Sequence, residues 1–204
     1  MPSSRTVRRW SPRVIVAILV LALIAVVGLL VWARTGLMHA EQAPWEAVRS
    51  DPALRVHEDD TAIVLRPSQD QPTEVGLVFY PGAKVEAAAY ASRLSGLVTQ
   101  GGMTVVIVKP WLSLALFDQR GLDTFTEQAP ELDSWIVGGH SLGGVRACQM
   151  AGDAEALLLL GSYCASDVAA DMPALSLAGS EDGLSTPQKI AEAADHLPEQ
   201  ARRV

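Results

Sequence analysis

One serine in this chain has the surroundings of a catalytic nucleophile. Ser141 lies in the stretch WIVGGHSLGGVRA, which opens with a short apolar run. Gly139 stands two residues before it and Gly143 two residues after it. Such glycines leave space where a helix folds back sharply on a strand, and the helix N-terminus stabilises negative charge that develops beside the serine. The pattern predicts a strand–turn–helix nucleophile for acyl transfer, and an incidental loop serine is the alternative.

A second segment, FYPGAKV at Phe79–Val85, offers the hydrogen-bond donors that such a nucleophile needs. Its Pro-Gly turn ends an apolar run and presents backbone N–H groups toward the serine. We predict that the N–H groups of Ala83 and Leu142 form an oxyanion hole. An ordinary tight turn without a catalytic role is the alternative, because Pro-Gly pairs are common in turns.

A third segment, AGSEDGLST at Ala178–Thr186, carries two acids after another apolar run. When a catalytic serine precedes its acid and its histidine in the chain, the acid belongs on a loop at this place. Asp182 is the candidate for orienting the histidine, and Glu181 is the second choice. The alternative is that both acids merely precede a helix, whose N-terminus favours negative charge.

These segments are positioned by an alternation of strand-like and helix-like stretches. The strand-like runs are continuous, as expected for strands covered on both faces. They are Thr61–Leu65, Val75–Tyr80, Met103–Val108, Trp135–Gly139, Ala156–Gly161 and Ala174–Gly179. The helix-like stretches are Glu86–Gln100, Gly121–Ala129, Leu142–Gly152 and Thr186–Leu197, the last with Thr186 as a natural N-cap. The alternation predicts an α/β fold with a mostly parallel sheet flanked by helices and a site at the carboxyl ends of the strands.

The N-terminal part of the chain carries a different signal. Residues 14–32 form a run of 19 residues without a charge. As a helix, this run spans roughly 28 Å, close to the hydrocarbon thickness of a bilayer. Four arginines precede the run and one follows it, so the positive-inside rule predicts a single-pass anchor with a cytoplasmic N-terminus and the remaining chain outside. A cleaved signal peptide is the alternative.

The chain of 204 residues is therefore divided into four parts. We predict a basic cytoplasmic N-terminus at 1–13, the anchor at 14–32, a stalk at 33–60 with a short helix around Trp45–Val48, and one α/β domain at 61–204. After residue 34 the chain has 11 basic and 23 acidic residues, a balance that repels nucleic acid. Four histidines and two cysteines without CxxC or HxxxH spacing favour no metal site, and we predict no cofactor.

From about Thr61 to Val204 the chain resembles the α/β-hydrolase superfamily. It is most similar to the small lid-less members related to dienelactone hydrolases, the group catalogued as α/β-hydrolase fold 5. The segments LVFYPGAKVEAAAYA, VVIVKPWLSLALFD, WIVGGHSLGG, LLLLGSY and LAGSEDGL carry the resemblance in this order. It implies Ser141 as nucleophile, Asp182 as orienting acid, and Ala83 and Leu142 as backbone donors. Such proteins often read PGG where this chain reads PGA, and alanine keeps the N–H.

The catalytic histidine of that superfamily follows one further strand, which we expect to begin only in the last segment, LPEQARRV. His140 occupies the variable position of the serine motif, and His196 is predicted about 15 Å away at the far end of the last helix. His57 and His39 fall in the predicted stalk. We therefore expect the catalytic histidine to be missing from this chain, together with the final strand and helix of the fold.

The sequence thus predicts a membrane-anchored serine hydrolase of the esterase, lactonase or thioesterase type. It would act outside the cytoplasm on a small-molecule acyl ester, lactone or thioester. Two alternatives remain, an inactive binding or scaffold domain tethered to the membrane and an acyltransferase. Cys148 and Cys164 would face an oxidising compartment under this topology, and the sequence leaves open whether they pair.

Overall fold

A computed structural model describes residues 11–68 and 73–204, and the chain divides into two units, Met1–Gly36 and Leu37–Val204. In the first unit the described residues form helix α1, Pro12–Arg34. Ser11 caps it, because its hydroxyl accepts a hydrogen bond from the N–H of Val14. This helix is long and apolar enough to cross a membrane. Most of the predicted basic segment 1–13 lies outside the described residues.

The second unit is built on one sheet of eight strands in the order β1-β2-β4-β3-β5-β6-β7-β8. The strands are β1 (Leu54–Glu58), β2 (Ala62–Pro67), β3 (Val75–Tyr80), β4 (Thr104–Val108), β5 (Ser134–His140), β6 (Ala156–Leu160), β7 (Ala174–Leu177) and β8 (Arg202–Arg203). β2 runs antiparallel to β1 and β4, whereas every pairing from β4 to β8 is parallel. The predicted α/β fold with a mostly parallel sheet is confirmed.

Helices cover the sheet. They are α2 (Gln42–Ser50), α3 (Ala88–Thr99), α4 (Asp123–Thr126), α5 (Leu142–Met150) and α6 (Pro187–Glu192), with short 3₁₀ turns after β4, α5 and α6. Thr186 caps α6 as predicted, since its hydroxyl accepts a hydrogen bond from the N–H of Lys189. The predicted helix Thr186–Leu197 is shorter, because α6 ends at Glu192 and a separate 3₁₀ turn follows at Ala194–His196.

The core lies on both faces of the sheet, which explains the continuous apolar strands. Along β3, Leu77 and Phe79 pack in the cluster that contains α3, and Val78 and Tyr80 pack in the cluster that contains α5. All four side chains are buried. Burying one side chain of this size contributes about 1.5–3 kcal/mol. This double burial fixes the end of β3, and with it the start of the turn that carries Ala83.

The stalk predicted at residues 33–60 is wrong over most of its length. The second unit begins at Leu37, and β1 pairs with β2 along its whole length. Val48 of α2 and Leu54 of β1 are buried in the same cluster as α3. The sequence does not indicate this strand, because β1 is an edge strand with mostly exposed or half-exposed side chains and has no continuous apolar run. The short helix expected around Trp45–Val48 is confirmed within α2.

The expectation that the final strand is missing is wrong in part, because Arg202–Arg203 form the short strand β8 within the segment LPEQARRV. β8 pairs in parallel with β7, with Leu175 opposite Arg202 and Ser176 opposite Arg203. The N–H of Ala178 donates to the carbonyl of Val204, which extends the same ladder. The loop that carries Asp182 therefore leaves the sheet beside β8.

Candidate active site

Ser141 stands between β5 and α5 in a strained backbone conformation. Its φ of 50° and ψ of −122° lie in a region that residues with a side chain rarely adopt. Such strain costs on the order of 1–3 kcal/mol and persists only where the surroundings hold it. Here the N–H of Ser141 donates to the carbonyl of Leu160, and the hydroxyl of Ser162 donates to the carbonyl of Ser141 at 2.7 Å. The structure thus has the sharp strand–turn–helix junction that the sequence predicts.

Three glycines around Ser141 lie where a side chain would clash with neighbouring atoms. A Cβ on Gly139 would lie 2.3 Å from the carbonyl carbon of Gly143. A Cβ on Gly143 would lie 2.0 Å from the carbonyl oxygen of Tyr80, at the end of β3. A Cβ on Gly144 would lie 2.3 Å from the hydroxyl oxygen of Ser162. The first turn of α5 therefore packs directly against the ends of β3 and β5.

The two predicted oxyanion donors are on either side of this contact. Ala83 follows β3 by three residues, and Leu142 is the first residue of α5. Within residues 11–68 and 73–204, neither N–H group donates a hydrogen bond to another protein atom. The flanking N–H groups are engaged, that of Gly82 by the hydroxyl of Tyr90 at 3.0 Å and that of Lys84 by the carbonyl of Ser113 at 2.8 Å.

Asp182 is held by its own loop. Its Oδ1 accepts hydrogen bonds from the N–H groups of Leu184 and Ser185 at 2.8 and 2.9 Å. These two bonds hold the pKa of Asp182 below its ordinary value. The other oxygen, Oδ2, lies 3.1 Å from where a Cβ on Gly161 would stand. Glu181, the second choice, is exposed and makes no hydrogen bond within the described part of the chain.

His140 faces two groups that the sequence did not connect with it. Its Nδ1 lies 2.8 Å from the hydroxyl oxygen of Tyr90, which belongs to α3. Its Nε2 lies 3.7 Å from the same Cβ position of Gly161 that Asp182 approaches. Burial lowers the pKa of His140 below its ordinary value, Arg93 acts in the same direction, and Asp182 opposes them. The neutral ring is therefore favoured near pH 7.

The other three histidines lie elsewhere. The Nδ1 of His196 is 2.7 Å from a carboxylate oxygen of Asp167. His39 is an exposed residue 3.6 Å from the carboxylate of Glu86, and His57 lies on the edge strand β1. In the part of the chain that the structure describes, no three His, Cys, Asp or Glu side chains form a group that could hold a metal ion.

The pairing that the sequence left open is present in the structure. Cys148 of α5 and Cys164 form a disulfide with a Cα–Cα distance of 5.6 Å. Cys164 follows β6 by four residues, two beyond Ser162, whose hydroxyl holds the carbonyl of Ser141. The disulfide thus joins the helix behind the serine to the loop that holds the strained turn.

A serine at a strained turn from strand to helix, beside a parallel sheet of this order, is the arrangement of α/β hydrolases. The sequence matches the alpha/beta hydrolase family over residues 76–204, and the chain belongs to that family. Among solved structures it is similar to TT1662 from Thermus thermophilus, with 15% identity and a TM-score of 0.56. That similarity covers 74% of this chain and 87% of the other, and it concerns the fold. No curated protein matches the chain significantly.

Proposed function

We propose that this protein is a serine hydrolase of the esterase, lactonase or thioesterase type, with Ser141 as its nucleophile. The observation that carries the proposal is the conformation of Ser141, strained at the N-terminus of α5, together with two N–H groups, in the turn after β3 and at the start of α5, that have no protein partner among the described residues. Those groups, at Ala83 and Leu142, would stabilise an oxyanion. The hydrolase class follows from the family. The geometry around Ser141 supports the more specific proposal that the serine is the nucleophile.

In the proposed reaction the hydroxyl oxygen of Ser141 attacks the acyl carbon of an ester, lactone or thioester. The carbonyl oxygen becomes an oxyanion that accepts hydrogen bonds from the N–H groups of Ala83 and Leu142. The serine proton passes to a histidine and from it to the leaving alcohol or thiol. Water then cleaves the acyl-enzyme by the same route in reverse, so neither a metal nor an organic cofactor is required.

We assign the role of this base to none of the four histidines in the chain. His140 is next to the serine in sequence, but its Nδ1 is engaged by Tyr90, which belongs to α3. His196 is engaged by Asp167. Asp182 would orient the base through Oδ2, the oxygen that makes no hydrogen bond within its own loop.

A fluorophosphonate probe tests the nucleophile, because it phosphonylates only activated serines. The full chain in detergent micelles should be labelled, and Ser141→Ala should abolish the labelling. Ser176→Ala is the matched control and should be labelled like the wild type, since Ser176 is a buried serine of β7 that makes no contact with the Ser141 turn among the hydrogen bonds of the described residues. Folded wild-type protein that resists the probe would reject the hydrolase proposal for this chain and favour a binding or scaffold domain.

We further propose that α1 anchors the protein in a membrane, with residues 14–32 in the bilayer and the hydrolase domain outside the cytoplasm. The support is the length and apolar composition of α1, and the arginines that precede it. A disulfide between Cys148 and Cys164 fits an oxidising compartment. Resistance of membrane-bound protein to alkaline extraction, with an intact N-terminus by mass, is the expected result. A mature mass that lacks these residues would identify a cleaved signal sequence instead.

A further inference from the structure

A buried hydrogen-bond chain connects the turn after β3 to His140. The N–H of Gly82 donates to the hydroxyl oxygen of Tyr90 at 3.0 Å, and that same oxygen lies 2.8 Å from the Nδ1 of His140. Tyr90 is only 7% exposed and comes from α3, on the opposite face of the sheet from α5. None of the three groups belongs to the nucleophile, the acid or the oxyanion donors.

One arrangement of donors and acceptors gives the proton of the Tyr90 hydroxyl an acceptor within this chain of hydrogen bonds. The phenolic oxygen accepts the N–H of Gly82, and its own proton is then directed to the Nδ1 of His140. Burial raises the pKa of Tyr90, so the hydroxyl keeps its proton at neutral pH. Because Nδ1 accepts, a neutral His140 carries its proton on Nε2, at the edge of the ring that faces Gly161 and Asp182.

The atoms of this hydrogen-bond chain are closely packed around Gly82. A Cβ on Gly82 would lie 2.8 Å from the Nδ1 of His140 and 3.1 Å from the hydroxyl oxygen of Tyr90. The ring of Tyr90 also packs against Phe79 of β3, with ring centroids 5.1 Å apart. The Tyr90 hydroxyl is therefore fixed between the end of β3 and the turn that follows β3.

The consequence concerns the N–H of Ala83. The peptide before it is fixed by the bond from Gly82 to Tyr90, and the peptide after it is fixed by the bond from Lys84 to the carbonyl of Ser113. Ala83 is thus the one N–H in this run of three that is left for a substrate. Its direction depends on both flanking bonds.

We propose that Tyr90 is a positioning residue for this hydrolase, whose hydroxyl sets the orientation of the oxyanion donor Ala83 through Gly82 and fixes the tautomer of His140. The proposal rests on the proposed function of Ser141. It extends the site to Tyr90, which lies on the face of the sheet opposite α5. Tyr90 does not touch the substrate in this scheme. Its effect appears in the step that forms the oxyanion.

Tyr90→Phe tests the proposal because it removes the hydroxyl and keeps the ring. Fluorophosphonate labelling of the full chain in micelles should slow by about tenfold or more, since small displacements of an oxyanion donor have large effects on rate. The loss should fall on the maximal labelling rate and leave the probe concentration for half-saturation nearly unchanged. Tyr80→Phe is the matched control, because the Tyr80 hydroxyl is buried but has no hydrogen-bond partner among the described residues.

Two measurements on the folded protein separate this proposal from the proposed function. Imidazole ¹⁵N shifts of the wild type should show a bare Nδ1 and a protonated Nε2 on His140. Amide exchange at Ala83 should accelerate in Tyr90→Phe and not in Tyr80→Phe, even if neither protein reacts with the probe. A wild type that resists labelling contradicts the proposed function alone. A proton on Nδ1, unchanged exchange at Ala83, or a Tyr90→Phe variant labelled at the wild-type rate overturns the role of Tyr90.

Discussion

Replacing Gly143 by alanine should move Ser141 away from the proposed oxyanion donor Ala83, because it pushes the first turn of α5 from the end of β3. The new Cβ would lie 2.0 Å from the carbonyl oxygen of Tyr80 and 2.4 Å from that of Pro81. Both obstacles are backbone atoms at the buried C-terminal end of β3, so no side-chain rotation relieves the clash. To reach even 3.0 Å, the first turn of α5 must move by about 1 Å from the end of β3.

The size of the effect follows from that displacement. Inserting a methyl group into a filled contact costs about 1–3 kcal/mol of unfolding free energy. A misplacement of about 1 Å between reacting groups can cost on the order of 100-fold in rate. We therefore expect Gly143→Ala to remain folded, with a lower melting temperature and fluorophosphonate labelling slowed by about two orders of magnitude.

Gly152→Ala is the control for this experiment. Gly152 lies in the 3₁₀ turn directly after α5, and a Cβ there would meet nothing within 4 Å. It should label at the wild-type rate. A Gly143→Ala protein with wild-type stability and wild-type labelling would refute the claim that the contact between α5 and β3 sets the site.

Three further changes test other parts of the site. Replacing Cys148 and Cys164 together by alanine should lower the unfolding free energy by about 3 kcal/mol, because the disulfide closes a loop of sequence separation 16, and the same loss should follow reduction of the wild type. The lowered pKa of Asp182 contributes stability that is present above its unfolded value near 3.8 and is lost as the pH falls through the lower folded value. In a measurement of stability against pH, Asp182→Asn should lack this loss of stability in acid. Identical acid unfolding curves for the variant and the wild type would contradict the prediction. Ser141→Gly should be more stable than Ser141→Ala by about 1 kcal/mol in chemical denaturation, because only glycine adopts a φ of 50° without strain; equal stabilities would mean that the turn is unstrained.

The sheet could be predicted from the sequence because its inner strands are buried on both faces. Six apolar runs correspond to β2 through β7, including all four residues of β7. β1 could not be found in the same way, because its sequence LRVHE places one buried residue among exposed and half-exposed ones. Its position depends on pairing with β2, which is a contact between segments that no local pattern encodes.

The candidate site also has features that the sequence predicts and features that it does not. The surroundings of Ser141 could be predicted because the glycines and the strand before them are adjacent in sequence. Tyr90 could not, since nothing in α3 marks one tyrosine as the partner of a residue 50 positions later. The sequence favours Asp182 over Glu181 because of the following glycine, and this choice stays a prediction. The hydrogen bonds that Asp182 accepts from Leu184 and Ser185 are visible only in the folded loop.

Several separate parts of the fold hold the strained turn at Ser141 in place. The carbonyl of Ser141 is held by Ser162 from the loop after β6, and the disulfide ties that loop to α5. From the opposite face of the sheet, Tyr90 holds the turn that carries Ala83. Each restraint is made on folding, before any substrate arrives, so the cost of ordering the serine and its donors is borne by the stability of the whole domain. A site held in this way should react with little rearrangement, and loosening any one restraint should slow the reaction more than it weakens binding.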